Sequence, residues 1–251
     1  MRTFPTLLLG LAIVAAPLSA IADGLHAIDH DDAVKSPSKE SIRASFDVLA
    51  AHAHGEGQTL TFHMTVQSEA GAVKPEPHGG LAGAPVYAYV WPTSLDPSSI
   101  GFEAGTGILA LAATSHPDFD DTPLYDEDAD GKRDNDGGAW HSHWVVLAPN
   151  DACGAGGLSV RDIPEGETPA LPATWPGLPL FIDSPAFSPV FDGTEVSVTV
   201  ALPAGTTLSG VGYDGVTSAL KVNADLHSPL LCVADVFDIA SGDLSLPSKI
   251  K

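Results

Sequence analysis

The segment Glu195-Val196-Ser197-Val198-Thr199-Val200-Ala201-Leu202 alternates along its length, so that Val196, Val198, Val200 and Leu202 fall on one face of an extended chain. Successive side chains of a strand point to opposite faces, and this pattern is that of a strand covering a core on one side. Val86-Tyr87-Ala88-Tyr89-Val90-Trp91 likewise sets Tyr87, Tyr89 and Trp91 against small apolar residues. Eight more windows read as strands, at 43–51, 59–67, 107–112, 143–148, 157–162, 178–182, 218–223 and 229–238, bounded by Gly, Pro, Asn and Asp clusters. After the first 22 residues no window of a dozen carries apolar positions at helical spacing. The expected fold is all-β, an antiparallel sandwich or jelly roll of roughly ten strands with long loops.

Composition agrees. A chain of 251 residues with 44% hydrophobic and 17% charged residues is neither a collagen, a coiled coil nor a wholly disordered chain. Lys and Arg number 11 against 32 Asp and Glu, a formal net charge of -21. Phosphate binding rests on clustered Lys and Arg, so nucleic acid and anionic lipid are excluded as partners and metal cations are expected ones.

Residues 1–22 read as a signal peptide. Arg2 precedes the apolar run Leu7 to Ala16, Pro17 ends it, and Ala20-Ile21-Ala22 carries the small-x-small pattern of a cleavage site. The run is too short to span a bilayer, and no later stretch is long enough. Residues 23–42, with His26 and His30, read as a flexible acidic N-terminal arm, and 43–251 as one β-sandwich domain. Five prolines in 164–179 mark a surface crossover, since proline has no amide to give a sheet. Export to the periplasm or the medium favours a disulfide between Cys153 and Cys232, the only two cysteines.

Nine carboxylates crowd into residues 118–136, against Lys132 and Arg133 alone. Within that run Asp126, Asp128, Asp130 and Asp134 occupy loop positions 1, 3, 5 and 9, with Gly131 at 6, Lys132 at 7 and Asp136 beside them. A hard cation wants six to eight oxygens, and the glycine permits the turn that wraps one. Residues 126–137 resemble the DxDxDG calcium loops of EF-hand-like and thrombospondin-type proteins, which implies calcium. Position 12 departs from the EF-hand: it is Gly137, where a bidentate Glu belongs, so Asp136, or Asp118, Asp120 and Asp121 from upstream, must close the shell.

Ten histidines are unevenly placed, and His52-Ala53-His54 and His141-Ser142-His143 are both His-x-His pairs at strand edges. Residues i and i+2 of a strand point the same way, so two imidazoles can reach one metal. The turn after His54 decides a third ligand: a two-residue turn brings His63 to the same face and suits zinc or copper(II), whereas a three-residue turn brings Met64 and favours copper(I). The second pair is similar in ligand geometry to zinc enzymes of the carbonic anhydrase type and to cupin metal sites, without either family's full pattern. His78, His116 and His227 are expected to face solvent.

No Ser-hydrolase elbow, dinucleotide or phosphate loop, His-Glu-x-x-His or Cys-x-x-Cys is present. The leading expectation is an exported protein that binds a transition metal, copper or zinc, through His-x-His pairs and calcium through the acidic loop. A zinc-type hydrolase or lyase with Glu56 or Asp136 as base is one alternative. A calcium-stabilised carbohydrate-binding or surface-interaction module, with Tyr87, Tyr89, Trp91, Trp140 and Trp144 as a stacking platform, is another.

Overall fold

The structure, a computed structural model, describes residues 32–251. The expected signal peptide and the first part of the arm, with His26 and His30, lie outside them. The strands are β1 (Val34–Lys35), β2 (Val48–Glu56), β3 (Thr59–Val66), β4 (Pro85–Pro92), β5 (Ile108–Ser115), β6 (His141–Pro149) and β7 (Leu158–Val160). They continue as β8 (Ile182–Asp183), β9 (Val190–Asp192), β10 (Glu195–Ala201), β11 (Gly212–Tyr213), β12 (Val216–Val222), β13 (Leu231–Ile239) and β14 (Ser248–Lys249). All pairings are antiparallel, as the alternation predicts.

The arrangement differs from a ten-stranded sandwich. Strands β5, β4, β12, β13, β7 and β6 pair in that order, and β6 pairs back onto β5, closing a six-stranded barrel. A five-stranded sheet, in the order β1-β2-β3-β10-β9, packs over one side of it. The physical reason is burial on two faces. In β5 every residue after Ile108 is buried: Leu109 and Leu111 face the outer sheet, while Ala110 and Ala112 face the barrel interior. The run Ile108 to Ala113 is accordingly apolar without interruption, a pattern that strict alternation overlooks.

The largest core lies between barrel and outer sheet. Phe62, Met64, Val196, Val198 and Val200 come from the sheet, and Tyr89, Trp91, Leu111 and Trp144 from the barrel. Tyr89, Trp91 and Trp144 are no more than 1% exposed, so these aromatics are packing and not a platform for stacking sugars. A second, aliphatic cluster of Val86, Val90, Val145, Val160, Ile182 and Leu220 lines the barrel interior. Residues 34–35 of the expected arm are the edge strand β1, pairing with Ala50 and Ala51.

One local feature reverses a face. The register between β2 and β3 slips between Val48 and Ala50, leaving Leu49 as a bulge. Val48 therefore enters the core, but so do Ala51 and Ala53, and His52 and His54 turn outward. Cys153 and Cys232 form a disulfide with Cα atoms 5.5 Å apart, joining β13 to the turn before β7. No helix among the described residues is long and apolar enough to cross a membrane.

Candidate metal centre

At one end of the barrel, β5 and β6 pair so that Thr114 lies opposite His141 and Ala112 opposite His143. The alternation that sends Val145 into the interior sends both imidazoles there too, at 3% and 1% exposure. Two groups the sequence did not assign to this place join them. His116, just past the end of β5, is 1% exposed and not solvent-facing; Asp121, grouped above with the calcium loop, is buried against the three rings.

The atoms converge. Asp121 Oδ1 lies 3.2 Å from His116 Nε2, 3.3 Å from His141 Nε2 and 3.2 Å from His143 Nε2. His116 Nε2 and His141 Nε2 are 2.9 Å apart. A tetrahedral zinc site with bonds of about 2.0–2.1 Å has ligand atoms roughly 3.3 Å from one another. Four of the six ligand separations thus lie close to that spacing, and all six are within 4.8 Å.

Their outer nitrogens are fixed. His116 Nδ1 donates to the Phe119 carbonyl at 3.0 Å, and His141 Nδ1 to the Ala139 carbonyl at 2.9 Å. His143 Nδ1 donates to Ser184 Oγ at 3.1 Å, because that hydroxyl is itself committed as a donor to the Asp121 main-chain carbonyl at 2.8 Å. With the protons held on Nδ1, each neutral ring directs an Nε2 lone pair at the centre, as metal-ligating histidines do. His143 Nε2 and Asp121 Oδ1 are shut from solvent without a hydrogen-bond partner; their 3.2 Å approach is a charge contact only.

Electrostatics follow from this crowding. Burial opposes ionisation of Asp121, but the imidazoles of His143, His116 and His141 around it hold its carboxyl well below the usual range. Burial also works against a charged His116, yet the Asp121 carboxylate beside it raises its pKa. His141 is pushed down to about 4, chiefly by burial and despite the Asp121 carboxylate beside it. A cation at the centre would compete with a proton on His116.

Gly137 makes the loop fit. A Cβ there would lie 1.8 Å from the Phe119 carbonyl oxygen and 2.8 Å from His116 Nδ1. The position where an EF-hand would carry its glutamate is occupied by the one residue that lets the loop close on His116. The His116 ring also stacks on Phe119, centroids 4.0 Å apart.

The acidic run divides into two further groups. Asp126, Asp128 and Asp130 bring carboxylate oxygens within 4.8 Å of one another, with Gly131 at φ 90°. Asp136 is not with them: it lies with Asp120 and Glu127 and accepts from the Glu127 amide. Asp134 belongs to neither group, and Lys132 Nζ contacts Asp130.

The first His-x-His pair is elsewhere. The β2–β3 hairpin turns at Gly57-Gln58, pairing Glu56 with Thr59 and His52 with His63, so the three imidazoles share the outer face of the sheet. Their centroids are 5.5–6.1 Å apart with interplanar angles of 17–39°. Among the described residues the three are not one of the groups whose ligand atoms all lie within 4.8 Å of one another. His63 Nδ1 instead meets Glu195 at 3.0 Å. Met64 is fully buried on the opposite face, so the thioether alternative has no geometry, and the two pairs lie in different layers. Glu56 is exposed beside that hairpin turn, away from the barrel histidines. His227 does face solvent, paired with Asp162.

Comparison with protein-family models, with curated proteins and with solved structures finds no match.

Proposed function

We propose that this is an exported metal-binding β-barrel protein that holds one zinc ion through His116, Asp121, His141 and His143. The observation that carries the reading is the convergence of three Nε2 atoms and one carboxylate oxygen at a buried site where the outer nitrogens of the rings are all fixed by acceptors. Three imidazoles and a carboxylate at tetrahedral spacing favour zinc over copper(I), which prefers sulfur. Asp121 fills the fourth position, and a complete protein shell suits retention of the metal better than activation of a water. Binding is thus favoured over the zinc-type hydrolase or lyase alternative.

The reading extends to location and to a second cation. The signal-like residues 1–22 and the disulfide support the periplasm or the medium. A hard cation, calcium by its oxygen ligands, is assigned to Asp126, Asp128 and Asp130. Titration of the chelated protein with cobalt(II), whose visible absorption reports tetrahedral geometry, tests the main site. One equivalent with an intense tetrahedral spectrum is expected, lost in His143→Ala. A spectrum unchanged by that substitution, or octahedral, would overturn the assignment.

A further inference from the structure

The barrel interior is not filled by its own side chains. A cavity of about 440 Å³ runs through it. Packed interiors leave few voids larger than a water, whereas ligand pockets span roughly 300–1,000 Å³. Its walls are aliphatic: Val86, Val90, Val145, Val216 and Leu220 come from three of the six barrel strands. Its two ends differ. At the β5–β6 end, where Thr114 faces His141, the lining includes Asp121, His143 and Thr114, whose hydroxyl oxygen is buried without a partner. At the other end, where Ile108 faces Leu147, the lining includes Ile108, Val236 and Leu244, each at least 37% exposed.

That apolar mouth carries strain. Leu244 and Leu246 both line the cavity, and both adopt left-handed backbone, with φ of 58° and 51°. Bulky residues avoid that region unless their surroundings enforce it, and such positions gather at ligand clamps. Here hydrogen bonds from the Leu244 and Ser245 amides to Ser241 Oγ and Asp243 Oδ1 hold the strap in place.

Charge narrows the occupant. The chain carries a net charge of -21 and Asp96 and Asp121 line the cavity, which disfavours an anion; Asp96 is committed to the Ser98 and Gly105 amides and Asp121 to the metal centre, and the wall between them is aliphatic, which disfavours a cation. From this juxtaposition of apolar bore, unpartnered buried hydroxyl and strained leucine mouth, we propose that the barrel binds an uncharged, elongated aliphatic molecule with a single oxygen at its end, the oxygen turned towards Thr114 beside the metal centre. The head placement rests on Thr114 and the cavity on its aliphatic wall; neither requires the zinc reading above.

The test is displacement of N-phenyl-1-naphthylamine, an uncharged fluorophore, from the zinc-loaded protein by 1-decanol, decane and decanoate, with zinc content measured on the same samples. Saturable fluorescence is expected, displaced by decanol about tenfold more tightly than by decane, the worth of one buried polar contact, with decanoate weaker than decanol. Thr114→Val should erase decanol's advantage over decane while zinc stays at one equivalent. Val216→Trp should fill the bore and abolish probe binding; Leu244→Asp, on an exposed residue that the fold can spare, should weaken it while zinc stays at one equivalent.

Absence of saturable fluorescence, or full probe binding in both variants while they retain zinc, overturns the inference. Decanoate binding as well as decanol overturns the uncharged head, and a decanol advantage that survives Thr114→Val overturns its placement. A protein that takes no zinc defeats the metal reading alone, and the cavity then stands or falls on displacement by decanol.

Discussion

His52-Ala53-His54 and His141-Ser142-His143 share one spacing and one kind of backbone, yet they behave oppositely. On the outer sheet the rings lie nearly parallel, 5.5–6.1 Å apart, and His63 finds Glu195. In the barrel the rings of His141 and His143 stand at 82° to one another, and both Nε2 atoms lie within 3.3 Å of one carboxylate oxygen. Spacing puts two imidazoles on one face; it does not turn their nitrogens to a point. What turns them is an outer acceptor for each Nδ1 and a loop that delivers Asp121 and His116 from outside the strand.

The sharpest way to break this contrast is to remove the metal. For a ligand at a thousand times its Kd, chelation should cost about 4 kcal/mol of stability. The melting temperature should fall equally in the wild type and in His52→Ala/His54→Ala. A smaller fall in that variant would move the site to the outer sheet. Next in size are two glycines. Gly137→Ala, driven against the Phe119 carbonyl, should cost about 3 kcal/mol and most of the metal affinity. Gly55→Ala beside His54 meets only the flexible end of Leu208 and should cost less than about 1 kcal/mol. Equal costs in denaturant titrations would contradict the close fit at Gly137.

Outer-shell contacts come third. Ser184→Ala releases both His143 and the Asp121 carbonyl and should weaken metal binding about 10–100-fold, whereas Glu195→Gln beside His63 should leave it unchanged. Competition with a chromophoric chelator measures both. The smallest effect is that of pH. His116 has a raised pKa in the apo protein, so its pairing with Asp121 stabilises the apo fold fully below pH 6.5 and fades as pH rises through the folded value. A metal must displace that proton, and affinity should fall roughly tenfold per pH unit below the folded value. His141, pushed down to about 4, has the opposite sign: its neutral form stabilises fully above pH 6.5, and that stability is lost as pH falls towards 4. Calorimetry in buffers of different ionisation heat should show proton release on binding that His54→Ala leaves unaltered. Release that vanishes in that variant would point back to the outer sheet.

Local pattern carried much of the fold. The alternation of Val196, Val198 and Val200 marks the core face of β10, and the cysteine pair is the observed disulfide. The inward turn of His141 and His143 follows from the same rule. Three things were not legible. Leu49 is extra in its register and reverses the face of His52 and His54, and no residue type announces a bulge there. Barrel closure joins β5 to β6 across the 25-residue connection 116–140, where pairing depends on tertiary packing and not on composition. His116 and Asp121 sit in that connection, the first before a proline and the second amid carboxylates, and each resembles solvated surface until closure buries it. One signal was available: His116 follows the end of β5 directly and His141 begins β6, so a hairpin pairing of those strands would have set the two rings side by side.

The central claim is that one buried constellation, and not His-x-His spacing as such, holds the metal. Elemental analysis of the protein recovered from its own host tests it most directly, beside the two double variants. One transition-metal ion per chain is expected in the wild type and in His52→Ala/His54→Ala, and none in His141→Ala/His143→Ala. Full occupancy in the last would contradict the account.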